Sequence, residues 1–468
     1  MSIEREKQWE NLVNEVNAMG GNGEDFAAAV KELYSLYDED VMYWYAGLFD
    51  ANIGGFYFAN SARDAEGYLP DIEATQHCLG FFEKFEGVYN YADVCPDWMK
   101  ERIGKWIKGL QDPNGYFYHP QWSKEFTDTK LARKGRDLNY GLGVMGNCGF
   151  APTYDTPLGQ KGDGLLPDGT PVNMPKTEKA ETAPAEKKEE PKKESTLKFS
   201  PHLESVETFR EYLNGLYPDL CKRPYWTGNQ FSNQIGQIKA RDKMLREAGE
   251  TESICEMLIN WFNARQNPET GNWYHPDDEY YYKKTARADS YEGNNSLLKI
   301  IDVYNQFGAE LHYPIEAARS AMKAITAETP ASSVCDVYNT WFAVWQVINN
   351  IKHYSTLSDE KKTEYISLIR RELMKDAPTA IRASKGKIAT FKRPDHGFSY
   401  TPTGTSITSQ GMPVALPGFD ESDTNASGIS IGFIKFMFMA FELTMIKPFP
   451  AELLPKYLEL LEAKRPKQ

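Results

Sequence analysis

The sequence lacks an excess of basic residues, a cysteine framework and an uninterrupted apolar run. Lysine and arginine number 53 against 66 aspartate and glutamate residues, a formal net charge of −13, which disfavours nucleic acid as a partner because phosphate backbones select basic surfaces. The six cysteines show no CxxC spacing, so neither a disulfide framework nor a zinc ribbon is predicted. The most apolar run, 426–445, contains Lys435 and Glu442, which favours a buried helix over a membrane span.

Motifs for nucleotides and several cofactors are also missing. The sequence has no P-loop, no GxGxxG in a strand–helix context, no GxSxG and no DDxxD, so phosphoryl transfer and nucleotide redox chemistry are disfavoured and no cofactor is predicted. The charged first residues include no apolar core, so no secretory signal is predicted. We therefore expect a cytoplasmic protein that acts on a small molecule, without a nucleic-acid or membrane partner.

A glycine–aromatic phrase is repeated along the chain. The clear copies are GYFYHP at 115–120, GNWYHP at 271–276 and GFSYTP at 397–402, with a weaker copy, GFY, at 55–57. With an insert of about 45 residues set aside, the copies lie about 60 residues apart or about twice that distance, which predicts six repeated units.

Apolar segments rich in small residues follow these turns, each preceded by Asp, Asn or Glu, as is typical of the start of a buried helix. The six inner helices predicted in this way are 71–82, 137–150, 229–245, 292–307, 336–351 and 423–441. Charged, more amphipathic segments between them predict outer helices, for example 97–110, 251–265, 359–374 and 451–461. Alternation at this period predicts an all-α fold, an (α/α)6 toroid of inner and outer helices.

The insert divides the repeats into two groups. Residues 157–175 are rich in Gly and Pro, and 176–198 consist mainly of Lys, Glu, Ala, Pro and Thr, with too little apolar surface to offset the entropy of ordering. We therefore expect a loop and disordered linker within 156–200, between a first part of the toroid at 1–155 and the remaining repeats at 201–468.

The repeats resemble those of a known superfamily. Segments 106–117 (WIKGLQDPNGYF) and 259–273 (INWFNARQNPETGNW) each combine an apolar helix, a glutamine, a glycine and an aromatic residue, like the repeats of squalene cyclases and protein prenyltransferases. Segments 338–342 and 424–431 are similar to the last inner helices of the prenyltransferase β subunit. The resemblance implies the α/α toroid of the terpenoid cyclase and prenyltransferase superfamily.

The motifs that carry chemistry in that superfamily differ here. Where a prenyltransferase has the aspartate and cysteine that hold zinc, this chain reads Asp336-Val337-Tyr338, and Asp423 stands where the zinc-binding histidine is expected. The DxDD motif of squalene cyclases is absent as well. Zinc-dependent prenylation is therefore not implied, and no metal site is predicted.

Polar groups at the starts of the inner helices outnumber those that capping requires, and a toroid brings these starts to one mouth. The residues expected to be catalytic are Glu73, Glu292, Asp423 and Tyr338. The residues expected to bind substrate are Arg63, Asp71, Arg136, Asp137, Tyr140, Arg287, Asn294, Asp336, Asn339 and Trp341. Helix capping and partly exposed salt bridges are the alternative roles for these groups.

Several functions fit these residue types. We favour a metal-independent enzyme that acts on a small anionic or sugar-like substrate in the central cavity. A glycoside hydrolase would need two opposed carboxylates, whereas a uronate lyase would need Arg or Asn to neutralise the carboxylate and Tyr or His to move the proton. A prenyltransferase-like or terpene cyclase-like protein acting on isoprenoids, and a non-catalytic toroid that binds a ligand or protein, remain the alternatives.

Deleting 176–198 is expected to leave folding and any activity nearly unchanged, because the segment has almost no apolar residue with which to dock. We expect the melting temperature of the deletion variant to stay within about 3 °C of that of the full chain. In the full chain, limited trypsin digestion should cut first inside this segment. A deletion variant that no longer unfolds cooperatively would contradict the prediction.

Overall fold

A computed structural model describes residues 3–172, 198–273 and 291–467. The chain is mostly helical, with 59% helix and 5% strand, so the predicted helical class is confirmed. The nineteen α-helices of the described residues are α1 Ile3–Ala18, α2 Gly23–Tyr34, α3 Asp40–Gly47, α4 Asn60–Asp64, α5 Ile72–Leu79, α6 Asp97–Gly109, α7 Lys124–Asp128, α8 Leu131–Asn147, α9 Val206–Lys222, α10 Pro224–Ser232, α11 Ile235–Glu247, α12 Ile254–Asn263, α13 Tyr291–Phe307, α14 Pro314–Thr326, α15 Cys335–Tyr354, α16 Asp359–Lys375, α17 Ala377–Ala389, α18 Thr424–Phe441 and α19 Leu454–Glu462.

Short elements connect these helices. The strands pair as two antiparallel hairpins, β1 Phe49–Asp50 with β2 Gly55–Phe56, and β3 Thr408–Ser409 with β4 Met412–Pro413. The 3-10 helices of the described residues are Phe82–Lys84, Tyr91–Asp93, Pro201–Leu203 and Ala451–Leu453.

Six helices contact one another in a closed order. α5 contacts α8, α8 contacts α10, α10 contacts α13, α13 contacts α15, α15 contacts α18, and α18 contacts α5 again. They occupy the places of the six predicted inner helices. Among the described helices, α18 alone is long and apolar enough to cross a membrane, but most of it is buried against other parts of the protein, as expected of a core helix.

The first and last parts of the chain meet at the seam between α5 and α18. The backbone of Ala59 pairs with that of Asp423 in an antiparallel bridge. The Thr424 N–H donates to the Phe58 carbonyl at 3.0 Å. The order of helix contacts is therefore closed by backbone pairing as well as by side-chain packing.

Two of the inner helices differ from prediction in their bounds. The helix expected at 137–150 begins earlier, at Leu131, and the helix expected at 229–245 is interrupted after α10. At this break the Asn233 side chain donates to the Asn229 carbonyl at 2.7 Å, and such local bonds compete with the helical backbone.

Other helices flank these six. α6 packs against α8, α9 against α10, and both α14 and α16 against α15. The outer helices predicted at 97–110, 251–265, 359–374 and 451–461 correspond to α6, α12, α16 and α19. A 3-10 turn precedes α19, so the α-helical part of that segment is shorter than predicted.

The glycine–aromatic turns share hydrogen bonds as well as sequence. Gly115 and Gly271 have φ angles of 86° and 68°, a region that favours glycine. The Gln111 amide donates to the Gly115 carbonyl at 3.4 Å, and the Gln266 amide donates to the Gly271 carbonyl at 2.8 Å. The repeated phrase is therefore also a repeated structural unit.

Two of the turns position the starts of α5 and α18. The Asp71 N–H donates to the Phe56 carbonyl at 3.1 Å, and the Asp423 N–H donates to the Phe398 carbonyl at 3.0 Å. Both phenylalanine side chains are fully buried. Because these aspartates are the N-caps of the two helices, burial of the aromatic rings fixes the positions of two carboxylates.

Part of the predicted Gly- and Pro-rich loop, 157–172, lies within the described residues. It is tied to α6 by an ion pair between Lys108 and Asp163, with 2.7 Å between Nζ and Oδ2. The segment predicted to be disordered, 176–198, lies outside the described residues except for Lys198, and its disorder remains a prediction.

Gly115→Ala is expected to destabilise the fold, because a Cβ at this position would lie 2.4 Å from the Asp155 carbonyl oxygen and the φ angle disfavours any side chain. We expect the free energy of unfolding in urea to fall by about 3 kcal/mol. The matched control is Gly143→Ala on α8, where a Cβ would meet nothing within 4 Å. There alanine should stabilise the helix by about 0.5–1 kcal/mol, and equal effects at the two sites would contradict the assignment.

Candidate functional site

A buried ion network links the start of α5 to α8. The Arg133 guanidinium is fully buried and donates to Glu73 at 2.9 Å, to Asp71 at 3.3 Å and to both carboxylate oxygens of Asp137 at 2.9 Å. Its guanidinium carbon lies 4.8 Å from the centre of the Trp122 ring. One arginine thus joins its neighbour Asp137 on α8 to two carboxylates at the start of α5, about 60 residues earlier in the chain.

Arg136, one helical turn further along α8, completes the network. Its Nη1 donates to the second Glu73 oxygen, and its Nε donates to the Asn233 side chain at 3.2 Å. Within the described residues, Nη2 has no acceptor. Arg136 is therefore held by two elements of the protein and keeps donors for a further anion.

The balance of charge separates the roles of the carboxylates. Burial alone would raise the pKa of Glu73, but the neighbouring cations, led by Arg136, hold that pKa well below its usual range. Burial raises the pKa of Asp137 to about 6 even beside Arg133. Glu73 is therefore a fixed negative charge and is unsuited to be a general acid.

Asp423 has the opposite character. It is fully buried, caps α18 through the Ala426 N–H at 2.7 Å and accepts a hydrogen bond from the Thr405 hydroxyl. Burial raises the pKa of Asp423 to about 7, and the negative charge of Glu73 contributes in the same direction. Close to neutral pH this carboxyl group exists in both protonation states, as a proton donor requires.

The hairpin segment, which we define as 405–415 and which contains β3 and β4, touches this cluster from the side of the helix starts. The Ser409 hydroxyl donates to Glu73 at 2.6 Å, and the Asn229 amide donates to the Gln410 side chain at 2.6 Å. The Trp122 indole donates to the Pro413 carbonyl at 3.2 Å. The hairpin segment is thus hydrogen-bonded to groups that could bind a polar ligand.

A histidine and a tyrosine from neighbouring helices lie beside the network. His77 Nε2 is 3.7 Å from a Glu73 oxygen, and the rings of His77 and Tyr140 meet edge to face with their centres 5.9 Å apart. Gly428 of α18 leaves space there, because a Cβ would lie 3.5 Å from His77 Nδ1. Burial raises the pKa of the Tyr140 hydroxyl, so it stays protonated at neutral pH.

A second polar group lies around the start of α15. The Tyr225 hydroxyl is 3.9 Å from the Cys335 sulfur, which is 3.4 Å from the Tyr400 hydroxyl. Burial raises the pKa of Glu292 and also that of Tyr338 on α15. Of these five residues, Glu292 and Tyr338 were predicted as catalytic.

The structure brings some of the predicted site residues together. Those that lie in or beside the ion network are Asp71, Glu73, Arg136, Asp137, Tyr140 and Asp423. Tyr338 lies close to Gly432 of α18, where a Cβ would be 3.3 Å from its ring. Their convergence is the arrangement that the sequence predicted for the mouth, although their roles remain untested.

Other predicted residues have local structural partners. Asp336 accepts hydrogen bonds from Ser332, Ser333 and Asn295, which tie the first turn of α15 to the preceding loop and to α13. Trp341 is fully buried, and its indole donates to Ser384 of α17 at 2.9 Å. It therefore packs between α15 and α17, and its role in substrate binding stays a prediction.

Three further predicted residues stand apart from the network. Arg63 is partly exposed on α4 and forms a surface salt bridge with its neighbour Asp64 at 2.7 Å. Asn294 and Asn339 are buried polar residues on α13 and α15. Arg287 lies outside the described residues.

Sequence reasoning missed Arg133, the centre of the network. The helix was predicted to begin at Asp137, although Leu138, Leu142 and Met145 continue a helical spacing back towards Leu131. The i,i+4 pair of Arg133 and Asp137 was a further signal. Ser409 had no such signal, because a hairpin contact between distant loops leaves no local pattern.

Three potential metal ligands lie close together at one place on the surface of the described chain. Within the described residues, the one group of three His, Cys, Asp or Glu ligand atoms lying within 4.8 Å of one another is Asp38, Asp40 and His396. All three are exposed, and Asp38 also pairs with Lys392 at 3.1 Å. The central network therefore depends on guanidinium groups to balance its carboxylates.

Comparisons with models of protein families, with curated proteins and with solved structures found no match to this chain. The resemblance to terpenoid cyclases and prenyltransferases thus remains a prediction. The geometry of the network is the basis on which a function can be proposed.

Asp423→Asn is expected to change how stability depends on pH. A folded-state pKa of about 7, above the ordinary value of 3.8, means that the folded state binds the proton more tightly, so ionisation of Asp423 lowers stability as pH rises. Between about pH 4 and pH 7 this group alone would lower the free energy of unfolding by up to about 1.4 kcal/mol per pH unit. Asparagine keeps a capping oxygen and should remove that contribution.

The measurement is urea unfolding from pH 4.5 to pH 7.5. Asp420→Asn is the control, since Asp420 is an exposed residue of the same loop that pairs with Arg393. Its pH profile should follow that of the wild type. If the Asp423→Asn profile does so as well, Asp423 does not have the raised pKa.

Proposed function

We propose that this chain is an α/α toroid and a cytoplasmic enzyme whose central site eliminates an alcohol or sugar group from a small uronate-like substrate by acid–base catalysis. The closed order of contacts among α5, α8, α10, α13, α15 and α18 supports the toroid. The observation that carries the chemistry is the meeting of Arg136, Asp423 and the His77–Tyr140 pair around Glu73.

Arg136 is the group that would bind the substrate carboxylate. Glu73 and Asn233 hold its guanidinium in place, so little side-chain freedom is lost on binding. A guanidinium paired with the carboxylate also stabilises the negative charge that develops when the adjacent C–H bond is broken. Anionic substrates are therefore favoured over neutral ones.

The remaining groups would move protons. His77, beside the fixed negative charge of Glu73, would take the proton from the carbon next to the substrate carboxylate. The C–O bond on the next carbon then breaks, and protonated Asp423 supplies the proton to the departing oxygen. A double bond remains in the product, His77 releases its proton to water, and Asp423 takes a proton back from water, which restores both groups.

Elimination fits the site better than hydrolysis does. A glycosidase needs a second carboxylate that is free to attack the sugar or to activate water. Both oxygens of Glu73 are occupied by Arg133, Arg136 and Ser409. Glu73 is therefore better suited to act as a stabilising negative charge than as a nucleophile.

Binding of substrate would require the hairpin segment to give way. The Ser409 hydroxyl on Glu73 and the Gln410 amide group on Asn229 occupy hydrogen-bonding positions that sugar hydroxyl groups could take. Exchange of one set of hydrogen bonds for another costs little net free energy, because each buried group stays paired. The segment therefore suits a cover that substrate hydroxyl groups replace.

A second candidate, binding of an isoprenoid, is favoured by one observation. Phe342 of α15 and Phe436 of α18 stack with ring centres 3.6 Å apart, and Trp345 lies 5.5 Å from Phe436. All three are only partly buried and form an aromatic surface on helices of the closed order. Such a surface could contact a hydrocarbon chain.

The test compares ligands and variants. Galacturonate oligomers should raise the melting temperature of the wild type and, on incubation, produce an unsaturated product that absorbs ultraviolet light. His77→Gln and Asp423→Asn should lower the rate of product formation by at least about 100-fold, the typical contribution of a general acid or base, because these two groups move the protons in the proposed reaction. Exposed His312→Gln and Asp420→Asn are the matched controls and should leave the rate unchanged.

Other outcomes separate the alternatives. Stabilisation by farnesyl diphosphate alone would overturn the uronate proposal in favour of the isoprenoid candidate. Stabilisation by the uronate without product would overturn catalysis and leave a binding toroid. A product released equally fast by all four variants would place the reaction at another site.

A further inference from the structure

Two asparagines, one on α10 and one directly after it, join Arg136 to the hairpin segment. Arg136 Nε donates to the Asn233 side-chain oxygen at 3.2 Å. The Asn233 amide, which also bonds to the Asn229 backbone carbonyl, donates to the Asn229 side-chain oxygen at 3.1 Å. The Asn229 amide in turn donates to the Gln410 side-chain oxygen at 2.6 Å. Three side-chain hydrogen bonds in series thus run from the guanidinium group to the tip of the hairpin.

The guanidinium group fixes the direction of this series. Arginine has donors and no acceptor, so the side-chain oxygen of Asn233 must face Arg136 and its amide nitrogen must face Asn229. The same reasoning turns the Asn229 oxygen towards Asn233 and leaves the Asn229 amide nitrogen facing Gln410. Hydrogen bonds in series polarise one another, so a cation at the start of the series strengthens the donor at its end. Asn229 therefore presents a strong donor at the position that Gln410 occupies.

Both asparagines are largely withdrawn from water. Asn229, Asn233 and Arg136 are each 8% exposed. If Gln410 moves away, the Asn229 amide becomes a buried donor that needs a new acceptor. Only two carboxamide groups separate this donor from Arg136, so a ligand of two sugar rings is long enough to bond to both.

The tip of the hairpin brings Gln410 to this donor in an uncommon backbone conformation. Gln410 and Gly411 form the two-residue turn between β3 and β4, and their φ angles are 51° and 84°. At the first position of such a turn Asn, Asp and Gly are the favoured residues. The backbone thus gives no reason for a glutamine here, whereas the contact of its side chain with Asn229 does.

We propose that Asn229 is a specificity-determining residue, which donates to a hydroxyl or ring oxygen of the ligand whose carboxylate binds Arg136, and that the Gln410 side chain is a built-in competitor for this donor. The inference rests on the proposed function, because it takes Arg136 as the carboxylate-binding group. When the hairpin segment moves away, Asn229 exchanges the Gln410 oxygen for an oxygen of the ligand. The site therefore selects acidic sugars over carboxylates without hydroxyl groups, because such ligands leave the donor unpaired.

The experiment measures dissociation constants by isothermal titration calorimetry for the galacturonate disaccharide and for cyclohexanecarboxylate, which has no hydroxyl group or ring oxygen. Gln410→Ala removes the competitor and keeps a non-glycine residue in the left-handed turn. Both ligands should then bind about fivefold more tightly than to the wild type, the typical contribution of one hydrogen bond. Thr408→Ala, at an exposed side chain of the same hairpin, is the matched control and should change neither constant. Unchanged binding to Gln410→Ala would overturn the competitor role.

The second substitution is made in the Gln410→Ala background, where the competitor is absent. There Asn229→Ala should weaken binding of the disaccharide about fivefold and leave that of cyclohexanecarboxylate unchanged, because only the disaccharide offers an oxygen to Asn229. Equal weakening for both ligands would show that Asn229 acts through the position of Arg136. No weakening would show that Asn229 does not contact the ligand. Either result overturns the inference and leaves the proposed function standing.

Failure of the proposed function gives a different result. If neither ligand binds to the wild type or to Gln410→Ala, Arg136 is not the carboxylate-binding group, and both proposals are overturned.

Hydrogen–deuterium exchange of the wild type keeps the inference testable if an Asn229 variant does not fold. The Val414 N–H donates to the Ile407 carbonyl at 3.0 Å within the hairpin segment. A two-stranded hairpin released from its contacts is at best marginally stable in water, so binding of the disaccharide should speed exchange at Val414. Unchanged or slower exchange would mean that the hairpin stays in place, which overturns the inference.

Discussion

Pairing of the fully buried Arg133 is the constraint on which the site depends. A guanidinium group cannot lose its hydration unless carboxylates replace the water, and here three of them do so from two helices. This pairing fixes the positions of the three carboxylates. Asp71 also serves as the N-cap of α5, Glu73 faces α8, and Asp137 forms the i,i+4 ion pair with Arg133. The network thus sets the relative register of α5 and α8, and with it the separation of His77 from Tyr140.

The repeat pattern made the general architecture predictable. Gly115 and Gly271 have left-handed backbones, and a Cβ at Gly55 or Gly397 would collide with a neighbouring side chain. Each copy also buries an aromatic residue, so both features leave a mark in the sequence that survives at every copy. Helix starts were predicted less well where polar residues lie inside a helix. Asp137 has the composition of a cap, but its partner is Arg133 on the same helix, and only packing against α5 shows that the helix begins earlier.

Sequence patterns predicted which residues form the site better than they predicted the role of each residue. Capping residues such as Asp71 and Asp423 could be identified because a helix start has a local signature. Glu73 resembles Asp423 in sequence terms, yet the arginines make it a fixed anion while burial leaves Asp423 able to hold a proton. Such a difference arises from neighbours contributed by other helices.

The seam between α5 and α18 has a consequence for how the protein is made. Asp423, on one side of the seam, pairs through its backbone with Ala59 on the other, a separation of most of the chain length. Contacts between such distant residues form late, because a long loop must close before they can contribute. A nascent chain that emerges from the ribosome already contains Glu73, Arg133 and Arg136 before Asp423 has been added. The cluster can therefore be completed only after residue 423 has been synthesised, so a chain that stops short of α18 has no Asp423 to place beside Glu73.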